Sequence, residues 1–455
     1  MIMRLLLFLS LAAAALAQPP AALTPTQAVE AALKTYPSIR VSQEQIQAAS
    51  AGITLARNAY LPRVDSLAQV NRATRNNVFG LLLPQSVIPS MSGPVIGSNN
   101  FGTVWGSALG GLVSWEPFDF GLRRANVGIA EASRAQSEAT LKRTQFDTAL
   151  AATDAYLTLA AAQETVRAAQ AGVDRAEAIA KTITALVSAQ LRPGADQSRA
   201  DAEVAAARTQ LIQAESAVAV ARATLAQFTG GDPATISISA PALVRLPPQQ
   251  TAAPLDPAAN PRMLEQSAAI GQARAQLKAI ERSYFPRFYA QASAYARGTG
   301  AEVDGNRLGN VNGLAPTVAN AVVGFSVTFP IMDFASIRAR EAQQSAAIRT
   351  ESARADLIAT ELRAQWARAT ANYEGARRIA ANTPIQIKAA RDATQQATAR
   401  YQSGLANIDE VAEAQRLLTQ SEIDDALARL NIWRALLNIS AATGNLTPFL
   451  TEVSQ

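Results

Sequence analysis

The chain of 455 residues contains no cysteine and no histidine. Without cysteine there is no disulfide, no thiolate metal ligand, no Cys nucleophile and no acylated N-terminal Cys. Without histidine the commonest general base and the commonest zinc ligand are missing. These gaps point away from an enzyme, a cofactor or a metal site. Aromatics are scarce at 5%, and 41 Lys and Arg nearly balance 36 Asp and Glu. No block of basic residues stands out, which argues against a nucleic-acid partner. Alanine is abundant instead, and Ala-rich sequence with few aromatics predicts long, closely packed helices.

Met1-Ile2-Met3-Arg4 is a short basic start, and Leu5 to Leu16 is apolar apart from Ser10. Ala15-Leu16-Ala17 has the small-x-small cleavage pattern, so residues 1–17 read as a signal peptide and the mature chain begins at Gln18. No later run approaches the ~20 apolar residues of a spanning helix. An exported protein without a transmembrane helix can still sit in a membrane, because β-barrels escape hydropathy windows.

The sequence repeats itself once. Tyr36-Pro37-Ser38-Ile39 is echoed by Asn260-Pro261-Arg262-Met263, and Tyr60-Leu61-Pro62-Arg63 by Tyr284-Phe285-Pro286-Arg287, both at an offset of 224. Trp115-Glu116-Pro117-Phe118-Asp119-Phe120 resembles Phe329-Pro330-Ile331-Met332-Asp333-Phe334, and Thr229-Gly230 matches Thr443-Gly444, both at 214. Four matches in one order mean duplication, and they override the three domains that length alone suggests. The expected boundaries are a first repeat over 18–230, a Pro-rich linker over 231–259, a second repeat over 260–446 and a short tail over 447–455.

Each repeat has one internal order. A helix over Thr26 to Asn58 is broken at Pro37 and closed at Pro62. A strand from Arg63 to about Arg72, a Gly/Pro/Asn/Ser-rich loop from Asn76 and a returning strand to Phe118 follow. In the second repeat, Val323, Phe325, Val327 and Phe329 alternate with Gly324, Ser326 and Thr328, which is strand periodicity. Very long helices come next, from Leu122 to Leu191 (roughly 105 Å at 1.5 Å per residue) and from about Ser336 to Ser403, with a kink expected at Pro384. Each turns sharply, at Arg192-Pro193-Gly194 and at Gln402-Ser403-Gly404, and returns to Gly230 or Gly444.

Helices this long need neighbours on two flanks, which a ring with a wet outside and a wet lumen provides. A coiled-coil rod needs only a narrow apolar seam, and here the apolar surface is broader. Aromatics gather where strands meet helices, including Tyr60, Trp115, Phe118, Tyr284, Phe285 and Phe329, as at a membrane–water boundary. Four strands cannot close a water-filled barrel, whereas three copies supply twelve.

With Leu23-Thr24-Pro25-Thr26-Gln27-Ala28-Val29, the Tyr60-Leu61-Pro62 junction, Trp115 to Gly121, Arg400-Tyr401-Gln402-Ser403-Gly404 and Thr443-Gly444, the chain resembles the TolC family of outer-membrane efflux proteins. The resemblance implies a mainly α fold with a membrane β-barrel: a homotrimer with a 12-stranded barrel in outer-membrane lipid, continued by a periplasmic α-barrel. It implies a passive exit duct, of efflux or protein secretion, served by a periplasmic adaptor and an inner-membrane transporter. The adaptor would dock at the tips around Gly194, Gly404, Arg192 and Leu405, where both glycines are expected at positive φ. For the closed aperture, Asp392 takes the place of a family Asp and Lys388 that of its basic partner, with Arg391 beside them. Asp196, Arg199 and Asp201, beyond the first turn, are the candidate partners of this aperture gate, and the family's Tyr reads as Thr383. Three-fold symmetry would make Asp392 a ring of three carboxylates. The competing reading is a periplasmic coiled-coil adaptor or scaffold without a barrel.

Overall fold

The computed structural model describes residues 22–74, 102–239, 241–248, 254–302 and 307–454. The expected signal peptide and nearly all of the long loop from Asn76 fall outside the described residues. In chain order the elements are α1 (Pro25–Thr35), α2 (Pro37–Asn58), β1 (Arg63–Thr74), β2 (Thr103–Phe118), α3 (Leu122–Ser188) and α4 (Gly194–Thr229). After two short 3-10 turns come α5 (Pro261–Arg282), β3 (Arg287–Thr299), β4 (Val318–Thr328), α6 (Phe334–Gln402), α7 (Ile408–Thr443) and α8 (Thr447–Val453). The two halves match in length as well as order. Helices α2 and α5 both have 22 residues, α3 and α6 have 67 and 69, and α4 and α7 both have 36.

Local chemistry sets the helix ends. The Thr24 side chain accepts from Gln27 N–H while the Gln27 side chain accepts from Thr24 N–H, a capping box with Pro25 at the first helical position. Asn407 accepts from Glu410 N–H and starts α7. Helix α3 stops three residues short of the expected Leu191, because Gln190 turns to φ 60°. Helix α6 runs unbroken through Pro384. Proline cannot donate to the Ala380 carbonyl, and the Thr383 hydroxyl lies 3.4 Å from that oxygen.

The chain forms two compact units, one of Met1–Gln45, Glu138–Ser267 and Ala353–Gln455, the other of Ile46–Ser137 and Ala268–Ser352. In the first, the main core joins Tyr156, Leu157 and Leu159 of α3 to Leu225 of α4, Trp433 and Leu437 of α7, and Phe449 of α8. The segment between the repeats is part of this core rather than a loose tether. Ile236 and Leu243 are buried in it, Ile238 bridges to Leu23, and the Tyr156 hydroxyl reaches the carbonyls of Leu23 and Ser239 at 2.9 and 2.7 Å. A separate, smaller cluster holds Ile183, Ala200, Tyr401, Ile408 and Val411 near the two helix turns.

The second unit carries a single antiparallel sheet of order β1-β2-β3-β4. Strand β1 pairs with β2, β2 with β3 and β3 with β4, with one irregularity between Trp115 and Phe118. Strands β1 and β4 are the edges.

Candidate functional site

Paired residues in a sheet share a face, so the register sorts the side chains. One face carries the rows Val64–Val113–Ala292–Val323, Ala68–Leu109–Ala296–Ala319 and Trp115–Ala290–Phe325. The other carries Asp65–Leu112–Ser293–Val322, Leu67–Gly110–Tyr295–Asn320 and Gln69–Ala108–Arg297–Val318. These rows are apolar across all four strands, with Ser66, Arg72 and Ser107 as polar members of the same face, and Val64, Leu109, Val323 and Phe325 on it are exposed. The second mixes Asp, Gln, Ser, Asn, Tyr and Arg with a few aliphatics. In water an exposed apolar sheet face with open edges is an aggregation hazard. Against lipid, apolar-out and polar-in is the pattern of a membrane strand.

The residues expected at the membrane boundary meet at the sheet's helical end. Trp115 Nε1 donates to the Tyr60 carbonyl at 3.0 Å, and the Arg123 guanidinium lies 4.8 Å above the Tyr60 ring. Arg123 also donates to the Asp119 carboxylate at 3.0 Å and to the Ala59 carbonyl at 3.3 Å. Asp119 further accepts the backbone N–H groups of Gly121 and Arg123, so the buried pair fixes the turn from β2 into α3. Phe120 stacks on Phe285 at 5.3 Å, Phe118 meets Phe288 at 6.0 Å, and Tyr284 reaches Glu341 at 3.5 Å. Phe329 is exposed at the end of β4. The second repeat lacks the buried pair, since the residue four after Asp333 is Ile337.

At the helix turns the structure corrects one expectation. Gly404 does take a left-handed backbone, φ 77°, but Gly194 is the first helical residue of α4, and Gln190 at φ 60° makes the turn. Leu191 N–H donates to Leu186 O at 2.9 Å and Leu405 N–H to Arg400 O at 2.8 Å, the same six-to-one closure of both helices. Gly404 therefore matches Gln190 at the repeat offset of 214. The glycine spelled out in the first turn is four residues too late. Leu191 and Leu405, which follow the two turns, are 70% and 71% exposed.

Side chains tie the two turns together. Arg192 donates to the Tyr401 carbonyl and sits 4.3 Å above the Tyr401 ring. The buried Tyr401 hydroxyl donates to Asp196 at 2.8 Å. Burial and the neighbouring Asp196 carboxylate push the Tyr401 phenol up to about 12. Arg199 pairs with Asp409 at 3.2 Å and with Glu203 at 3.4 Å, and Arg400 approaches Glu410 at 3.9 Å. Tyr401, Asp409 and Glu410 were missed as site residues in the sequence. The signal was there, since Tyr401 stands three residues before the turn glycine.

Lys388, Arg391 and Asp392 are exposed on α6 and make no ion pair or hydrogen bond among the described residues. Thr383 lies elsewhere: it is buried and donates to the Asp425 carboxylate of α7 at 2.6 Å. Asp201 accepts from Gln197 on its own helix. No helix among the described residues is long and apolar enough to cross a membrane.

Comparison with known proteins matches the outer membrane efflux protein family over residues 28–231 and 257–445. The solved structure of the outer-membrane channel OprN is 22% identical, covers 93% of this chain and 90% of its own, and has a TM-score of 0.71. The Campylobacter jejuni CmeC outer membrane channel is 13% identical, with 95% and 89% covered and a TM-score of 0.72. The Neisseria gonorrhoeae MtrE outer membrane channel, in an open state, is 18% identical, with 93% and 89% covered and a TM-score of 0.71. No curated protein sequence matches. With both repeats matched, and with a sheet that is apolar on one side and polar on the other, the chain belongs to the outer membrane efflux protein family and is an outer-membrane exit duct.

Proposed function

We propose that three copies of this chain share one barrel of twelve strands, and that the helical hairpins continue it as a periplasmic duct. The duct receives cargo from an inner-membrane transporter through an adaptor seated on the hairpin tips. The two-sided sheet with both edges unpaired carries the reading. Four strands enclose no water, because even about eight leave an interior filled by side chains. Pairing β4 of one copy with β1 of the next removes every edge, turns Val64, Leu109, Val323 and Phe325 to lipid and leaves Asp65, Gln69, Ser293 and Arg297 to the lumen. Tyr60, Trp115, Phe118, Tyr284, Phe285 and Phe329 then lie at the periplasmic membrane boundary.

A conduit needs no covalent chemistry, so the missing His and Cys cost it nothing. It does need closure. The links from Arg192 and Asp196 to Tyr401, and from Arg199 to Asp409, hold the two turns of one copy together. Lys388, Arg391 and Asp392 have no partner among the described residues of their own chain and can meet the same residues of other copies, where Asp392 forms a ring that binds cations. The exposed Leu191 and Leu405, with Arg192, Gly194 and Gly404 beside them, form the adaptor's seat.

The test is the purified full chain. Light scattering should report a trimer, planar bilayers should show channel conductance, and the tagged trimer should retain an adaptor and a transporter from its own membranes. A monomer without conductance would overturn the reading.

A further inference from the structure

The polar face of the sheet is not electrically balanced. Its strand positions carry Arg63, Asp65, Arg287 and Arg297 as the charged side chains among the described residues. Asp65 is already paired, with Arg63 Nε 2.9 Å from its carboxylate. Arg287 and Arg297 make no side-chain ion pair or hydrogen bond among the described residues. Each copy of the face therefore keeps two uncompensated positive charges.

Arg297 stands near the end of the sheet away from the helices. Its row is Gln69–Ala108–Arg297–Val318. The rows on either side, Leu67–Gly110–Tyr295–Asn320 and Asn71–Gly106–Thr299, hold no carboxylate. Asp65 lies level with Ser293, four residues and about 13 Å along the strand. Glu116 is half-buried at the helical end, in the irregularity between Trp115 and Phe118. The connections beyond the far end add no net charge in sequence, since Arg75 and Arg307 balance Glu302 and Asp304. Arg72 is near the same end but on the apolar face, its guanidinium 5.2 Å from the centre of the Trp105 ring.

We infer that the barrel prefers anions, and that Arg297, repeated by three copies as a ring around the lumen, sets this preference. The inference rests on the shared-barrel reading above and adds the charge class of cargo that passes most readily, namely small anions ahead of cations of the same size. Rings of Arg select anions as rings of carboxylates select cations. Low-dielectric walls focus the field of such a ring into the water between them. Arginine stays protonated at every pH the protein meets, so the ring cannot be switched off by titration. The carboxylate ring of Asp392 proposed for the aperture acts in the opposite sense, and the two must be measured apart.

The test is the reversal potential of the purified full chain in planar bilayers under a KCl gradient, in an Asp392→Ala background. Chloride should permeate ahead of potassium. Adding Arg297→Gln should bring the permeability ratio towards one, and adding Arg297→Glu should reverse it. Adding Arg72→Gln instead removes the same charge from the lipid side and should leave the ratio unchanged. The preference should also shrink between about 0.1 M and 1 M salt, as the screening length falls from about 10 Å to about 3 Å. A channel that favours potassium in the Asp392→Ala background overturns the inference. So does a ratio that ignores both Arg297 variants, or one that follows Arg72 as strongly. In those cases a conducting trimer leaves the shared barrel standing. A monomer by light scattering, without conductance, removes both.

Discussion

Gln190 and Gly404 stand 214 residues apart and occupy the same place in two helix turns. Each takes a left-handed backbone, φ 60° and 77°, and each precedes a leucine whose N–H reaches back to close the helix. Glycine adopts this conformation freely, whereas a residue with a Cβ is strained there by about 1–2 kcal/mol. Gln190→Gly should slow amide hydrogen exchange around the first turn by about fivefold, equivalent to about 1 kcal/mol. Gly404→Ala should speed it around the second. A Cβ at Gly404 meets only the Arg192 guanidinium at 4.0 Å, so backbone strain alone sets that cost. Changes of the same sign at both turns would remove the equivalence.

Tyr401 makes the tip sensitive to alkali. An unperturbed tyrosine ionises near 10, and burial beside Asp196 pushes this one up to about 12. The folded tip therefore favours the neutral phenol. Its contribution is complete below pH ~10 and falls as pH rises from there toward about 12. Tip exchange and channel open probability should both rise over that window. Tyr401→Phe loses the bond to Asp196, so both should already be raised at neutral pH and flat through the window. A wild-type response retained in the variant would assign the alkaline step elsewhere.

The Asp119–Arg123 pair is buried on both sides. Removing one partner leaves the other uncompensated, at about 3–5 kcal/mol. Arg123→Ile should lower the thermal midpoint of the assembled protein accordingly. Adding Asp119→Asn should recover part of the loss, because it removes the uncompensated charge while its one amide oxygen can keep only one of the two bonds that the N–H groups of residues 121 and 123 make to separate carboxylate oxygens. The second repeat, with Ile337 in that place, shows that the turn forms without the ion pair. A double variant as unstable as the single one contradicts this account.

Asp392 is the candidate for a cation ring. In planar bilayers, Asp392→Ala should raise conductance or abolish block by divalent cations. If neither changes, the constriction lies closer to the turns, at Tyr401 and its carboxylate partners.

Much of the fold was legible because proline, glycine and aspartate punctuate it. Pro37, Pro62, Asp119 and Asp333 mark element ends where backbone geometry leaves few choices, so the repeat and its order follow from residue type. Val323, Phe325 and Val327 announce their strand by alternation. The turn at Gln190 was illegible for the converse reason. Nothing in a glutamine signals a left-handed backbone, and Gly194 nearby offered a false landmark. Tyr401 was passed over because its value lies in an unrelated segment, where Arg192 and Asp196 meet it from about 200 positions away. The apolar and polar faces of the sheet required the register between strands, which no single strand specifies.

The main core around Tyr156 and Trp433 and the small cluster around Tyr401 share no residue, though both draw on α3, α4 and α7. The long helices therefore carry two separate apolar clusters along their length. With so few buried residues, the end cluster is expected to open before the larger core does. Proteolytic clipping under gentle destabilisation would accordingly begin at the turns and stall there.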